Sequence, residues 1–212
     1  MRSAALLTAV FLIAAPSFGV NSLTVDNGIP MDGSFNLHVQ FDGSNTDAFV
    51  ASHHLVDETT FTARFKILPD SGFINAAAPN NFVRIMRMNQ FGVAQQVIVF
   101  LTRSAGSGNY RIIVWVRNDS GTFQLGPNSF LTLGASPTTS EVEITWTAAT
   151  APGANNGSIT MNINGSPATS GNRSDLDTDT MDLDRVQVGA FVGGNPSTHS
   201  GGYRFDSYSS FR

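Results

Sequence analysis

The sequence predicts an all-β fold, an antiparallel sandwich of two stacked sheets in one domain. Three observations carry this. Apolar and polar residues alternate with period two in segment after segment, whereas no stretch after the first 19 residues holds a 3.6-residue apolar period for three turns. Turn-forming clusters separate those segments: Asn27-Gly28, residues 69–72 (PDSG), 105–109 (AGSGN), 118–121 (NDSG), 152–157 (PGANNG) and 164–167 (NGSP). Of nine prolines, Pro16 lies in the opening apolar stretch and the rest fall between the expected strands, as ladder hydrogen bonding requires.

In chain order, residues 1–19 read as a secretory signal peptide. Arg2 supplies the positive start, Ala4–Ala15 the apolar run, and Ser17-Phe18-Gly19 the small residues at a cleavage site after Gly19. The run is too short to span about 30 Å of hydrocarbon, so no integral membrane segment is expected after processing. The segment from Val20 to about Asp32 is either an N-terminal strand or a loose arm. Alternation then marks strands at Phe35–Phe41, Phe61–Ile67, Val142–Trp146, Ile159–Ile163, Val186–Val188 and Tyr203–Ser207. Residues 96–102 (QVIVFLT) and 110–116 (YRIIVWV) are apolar on both sides and suit strands covered on both faces. Ten to thirteen strands in residues 20–212 mean a sandwich or a barrel, and alternation with one wet face in most of them favours stacked sheets.

Composition narrows function. Removing Arg2 leaves 11 basic against 16 acidic groups, a net charge of −5, and Lys66 is the only lysine. No basic cluster exists to track a phosphate backbone, so nucleic acid and anionic membranes are excluded as partners. The chain has no cysteine. An exported protein without disulfides points to a bacterial origin and a secreted, periplasmic or extracellular location.

The order of phrases in the C-terminal half is distinctive. A strand with a buried Trp and a glycine hairpin (residues 140–167, SEVEITWTAATAPGANNGSITMNINGSP) precedes 175–191 (DLDTDTMDLDRVQVGAF) and 201–212 (GGYRFDSYSSFR). With 61–67 (FTARFKI), this resembles secreted bacterial members of the concanavalin A-like lectin/glucanase superfamily, the group with laminin-G-like jelly rolls. The resemblance implies a jelly-roll sandwich and a carbohydrate or extracellular-matrix ligand. It does not choose among sugar-binding modules, adhesion domains, glycoside hydrolases and polysaccharide lyases.

Four groups of residues bear on that choice. Asp175, Asp177 and Asp179 open like an EF-hand loop, but the sixth and twelfth positions are Thr180 and Val186 instead of Gly and Glu. The loop either holds calcium in another geometry or caps a turn by accepting backbone N–H groups, and the turn is the expected reading. Glu141 and Glu143 share one strand face, yet the third acidic position of laminarinase-like members is Thr145 here. For a β-eliminating lyase, Tyr110, Arg111, Arg117, His38, Gln40 and Arg64 would have to converge. The R-x-E-x-R and Q-I-H strands of alginate-lyase members are absent, and residues 84–91 (RIMRMNQF) keep the arginines without the glutamate. His53-His54 and His199 read as exposed. Finally, Arg111, Ile113, Trp115 and Arg117 share the face opposite Tyr110. An aromatic ring between planar donors suits a sugar, whereas the competing reading packs Trp115 beneath a loop. Trp146, aligned with Val142 and Ile144, belongs to the core. The resulting expectation is a non-catalytic carbohydrate-binding module whose ligand contacts come from Arg111, Trp115, Arg117, His38 and Arg64. A polysaccharide lyase or hydrolase is the first rival and a structural adhesin the second.

Overall fold

A computed structural model describes residues 21–42, 46–74, 82–131, 138–191 and 201–211, without the side chains of residues 55 and 56. The expected signal peptide and His199 lie outside them. Fourteen strands are described: β1 Ser22–Asp26, β2 Asn36–Phe41, β3 Ala48–Glu58, β4 Thr60–Pro69, β5 Phe82–Asn89, β6 Val97–Arg103 and β7 Tyr110–Arg117 in the first half. The second half has β8 Phe123–Phe130, β9 Ser140–Thr147, β10 Gly157–Ile163, β11 Ser166–Pro167, β12 Arg173–Leu176, β13 Leu183–Phe191 and β14 Gly201–Phe211. No described helix is long and apolar enough to cross a membrane.

All ladders are antiparallel and form two sheets. Sheet A runs β1-β2-β14-β4-β9-β10-β11, with β12 also on β10, and sheet B runs β3-β13-β5-β6-β7-β8. Alternation along each strand sends one set of side chains into the space between them. Phe61, Ala63, Phe65 and Ile67 of β4 face Val142, Ile144 and Trp146 of β9, all without solvent exposure. Sheet B contributes Val97, Val99 and Leu101 of β6 with Tyr110, Ile112, Val114 and Val116 of β7. Tyr203 crosses the core from sheet A, where its hydroxyl shares its proton between the carbonyls of Ile85 and Gly189 at 3.1 Å each. Burial there pushes the Tyr203 hydroxyl well above its ordinary range, so it stays neutral.

Two features settle or correct the expectations. The segment after residue 20 is not a loose arm throughout, because Ser22–Asp26 pairs with β2 as the edge of sheet A. Three prolines expected between strands lie within them: Pro69 ends β4, Pro167 ends β11, and Pro127 sits inside β8, where a missing N–H costs little because β8 ends sheet B and its ladder with β7 is already bulged between Ile113 and Trp115.

Candidate functional site

The outer face of sheet B is built from residues that alternate away from the core on five neighbouring strands. Register aligns them in rows across the sheet. One row runs Gln187, Arg87, Ile98, Trp115, Leu125, and the next runs Phe191, Arg84, Phe100, Ile113, Asn128. A third holds Thr102, Arg111 and Phe130. β6 is buried even on this side, because the long side chains of its neighbours cover Ile98 and Phe100.

Guanidinium groups and rings interleave along these rows. Arg87 lies 4.0 Å from the centroid of Phe191 and Arg111 4.6 Å from that of Phe130. Arg185 sits between Phe91 at 5.5 Å and Phe49 at 5.9 Å. Trp115 meets Phe100 edge-on at 5.0 Å and Phe123 at 6.4 Å, and remains 41% exposed. These are attractive cation–π and aromatic geometries that hold the side chains in place. Arg87 is neutralised by Asp47 at 2.9 Å. Arg111 and Arg185 have no carboxylate partner among the described residues. The face therefore presents uncompensated positive charge on a chain that is negative overall.

Proton acceptors are scarce here. All three tyrosines are taken up inside: Tyr110 and Tyr203 are buried, and Tyr208 packs against the core. His53, on edge strand β3, is the imidazole at the rim, 5.2 Å from the Phe91 ring.

The outer face of sheet A has the opposite character. Arg64 is bonded to Glu143 and lies 3.9 Å from Glu141, and Lys66 meets Asp32 at 3.0 Å. Arg204 joins Asp70 and Asp26, and His38 meets Asp70 at 3.1 Å. Arg64, Lys66 and Arg204 thus each have an acidic partner. Hydrogen bonds from Arg64 and then Asn162 hold the Glu143 carboxyl below its usual range. A glycosidase acid needs the reverse shift, so the Glu141–Glu143 pair is an ion-pairing surface.

The structure thus splits the residues expected to act together. His38 and Arg64 belong to β2 and β4 of sheet A, while Arg111 and Trp115 belong to β7 of sheet B, and the core separates the two outer faces. One ligand cannot touch both sets, and Tyr110 is buried between them. Arg117, at the end of β7, is engaged by the turn that follows, its Nε donating to the Gly121 carbonyl at 3.2 Å. Arg84, Arg87 and Arg185, which sequence reasoning did not assign to this face, complete it instead. The arginines of residues 84–91 were visible, but a bulge between Arg84 and Met86 breaks the alternation that would have marked β5 as a strand.

The aspartate run is also rearranged. Asp175 is held by Arg173 through two bonds of 2.7 and 2.6 Å, which removes it from any shared site with Asp177 and Asp179. Those two meet Asp119 from the β7–β8 turn, with carboxylate oxygens within 4.8 Å of one another. Asp119 accepts from the Thr180 hydroxyl at 2.7 Å and donates its own N–H to the Asp177 carbonyl at 2.9 Å, which ties the two loops. Desolvation, then the Asp119 carboxyl, raise the Asp179 carboxyl above its ordinary value.

No family model and no curated protein matches the sequence. Solved structures do resemble the fold. An endo-β-1,4-glucuronan lyase from the fungus Trichoderma reesei aligns with TM-score 0.62 at 10% identity, over 90% of this chain and 86% of that one. Alginate lyase vAL-1 from Chlorella virus gives 0.57 at 12% identity, over 91% and 89%. The cellulose-induced protein Cip1 gives 0.56 at 14% identity, over 90% and 85%. At these identities the likeness is one of fold: an antiparallel jelly-roll sandwich.

Proposed function

We propose that this chain is an exported module that binds an acidic polysaccharide on the outer face of sheet B without cleaving it. One observation carries the reading: Arg111 and Arg185 stand uncompensated on aromatic rings, on the face that also exposes Trp115. Sugar C–H groups stack on an indole, while planar guanidinium forks bind carboxylates with two hydrogen bonds. Glucuronan and alginate, named for two of the structural neighbours, are polymers of this charge. The tyrosines support the non-catalytic reading: Tyr110 and Tyr203 are buried, and Tyr208 packs against the core away from this face.

β-Elimination is the second reading, favoured by the likeness to the two lyases, with His53 as the imidazole nearest the face. Calorimetric titration with polyglucuronate, alginate and neutral laminarin, run beside an assay for unsaturated uronate ends, separates the two. The proposal expects uronate polymers to bind, binding to weaken as salt rises, and no unsaturated product to form. Equal affinity for laminarin contradicts the charge argument. Product that disappears in His53→Ala replaces binding by catalysis.

A further inference from the structure

The two sheets do not close along one side, and the opening is built into the chain. On β14 a bulge between Asp206 and Ser209, with Ser207 at φ 52°, interrupts pairing to β4, and pairing to β2 ends at Phe205–Leu37. Asp206 then fixes the neighbouring loop. Its carboxylate accepts the N–H groups of Asp32 at 2.8 Å and Met31 at 3.2 Å, as well as that of Ser207 at 2.6 Å. The β1–β2 corner of sheet A is thereby held away from β3 and β13 of sheet B, leaving a cleft of about 650 Å³. That volume falls within the range of small-molecule sites.

Its walls are hydrocarbon: Val25, Phe35, Leu37, Val50, Val188 and Phe205. Val25, Phe35 and Val50 at the mouth are 65%, 59% and 48% exposed, a large apolar outlay for one edge. Asn36 Oδ1 and Tyr208 Oη are both sealed from solvent, so neither is offered to an occupant. Among the described residues, the one carboxylate on the lining is Asp206, and no Lys, Arg or His lines the cleft. An anion entering it would lose much of its hydration and meet like charge, with no cationic group on the described lining to compensate. We infer that the cleft between β1–β2 and β3–β13 is a second binding site, for an uncharged, largely hydrocarbon small molecule. It is separate from the arginine face, because β13 turns Val186 and Val188 into the cleft and Arg185 and Gln187 to the other side.

The test uses two fluorescent probes of nearly one skeleton, uncharged N-phenyl-1-naphthylamine and its anionic relative 1-anilinonaphthalene-8-sulfonate. The uncharged probe is expected to bind the full chain saturably at one site, to be displaced by 1-decanol, and to bind at least about tenfold more weakly to Val50→Trp. Val25→Trp, on the other wall, gives the same loss should Val50→Trp fold poorly, and circular dichroism checks both. Arg111→Gln leaves the uncharged probe unaffected, which distinguishes failure here from failure of the polysaccharide reading. Unsaturable binding, affinity unchanged in both Trp variants, or equal Trp-sensitive binding of the sulfonate would overturn the inference. So would sedimentation showing that a second copy of the chain covers the cleft and must leave before the probe binds.

Discussion

The Arg87 guanidinium lies 4.0 Å above the Phe191 ring while its Nη1 donates to Asp47 at 2.9 Å. Desolvation lowers the Arg87 pKa, and the Asp47 carboxylate opposes that shift. The ring and the carboxylate together keep a mostly covered cation in one position. Phe191→Ala is expected to cost about 3 kcal/mol or more, since it empties a buried site beneath the charge. Asp47→Asn keeps the shape and removes the charge, with an expected loss of about 1 kcal/mol for this partly exposed pair. Urea unfolding of both variants checks the order, and an Asp47→Asn loss equal to that of Phe191→Ala would contradict it.

The two tryptophans are expected to behave in opposite ways. Trp146→Ala removes a fully buried side chain and should destabilise by about 3–5 kcal/mol. Trp115→Ala leaves stability within about 1 kcal/mol, because the ring is 41% exposed, but lowers affinity for polyglucuronate about tenfold. Arg111→Gln should lower the same affinity and also flatten its salt dependence. Arg64→Gln, on the opposite outer face, should change neither.

Glu143 sets an acid-side dependence of stability. Hydrogen bonding to Arg64, then to Asn162, lowers its folded-state pKa. A lowered carboxyl contributes stability above the unfolded carboxylate range and loses it as pH falls through the folded value. Glu143→Gln should therefore melt below the parent near pH 6, and the gap should narrow as the buffer is acidified below the unfolded glutamate pKa. A gap that stays constant down to low pH would show that the carboxylate charge is not responsible.

Asp179 works with the opposite sign. Its raised carboxyl contributes stability below the unfolded aspartate pKa that is lost as pH rises through the folded value. Asp179→Asn should raise the melting temperature at neutral pH in chelator by relieving repulsion from Asp119 and Asp177. A loop that serves as a turn gives the same midpoint with and without calcium, whereas a bound cation would raise it by mass action in the parent and not in the variant.

How much was legible follows from the strands themselves. β4 and β9 alternate without interruption over Phe61–Ile67 and Val142–Trp146, and both are bulge-free in their shared ladder. β5 was not legible: its bulge puts Ile85 and Met86 both inside, so the period-two signal cancels halfway along. β8 was hidden in the same way by a bulge and by Gly126-Pro127. The outer face of sheet B suffered accordingly. The outward position of Trp115 could be read from β7 alone, yet Arg84 and Arg87 lay on the strand that the pattern concealed.

The amino-acid order alone determined the β class, the inward set of most strands and the outward position of Arg111 and Trp115, because the direction of a side chain on a strand is a local property of period two. Only the tertiary structure decided which outward positions share a surface. Strand neighbours come from pairings far apart in sequence, such as β13 beside both β3 and β5. That pairing carried His38 and Arg64 to one side of the core, gathered Arg87, Arg111 and Arg185 on the other, and brought Asp119 to the aspartate loop in place of Asp175.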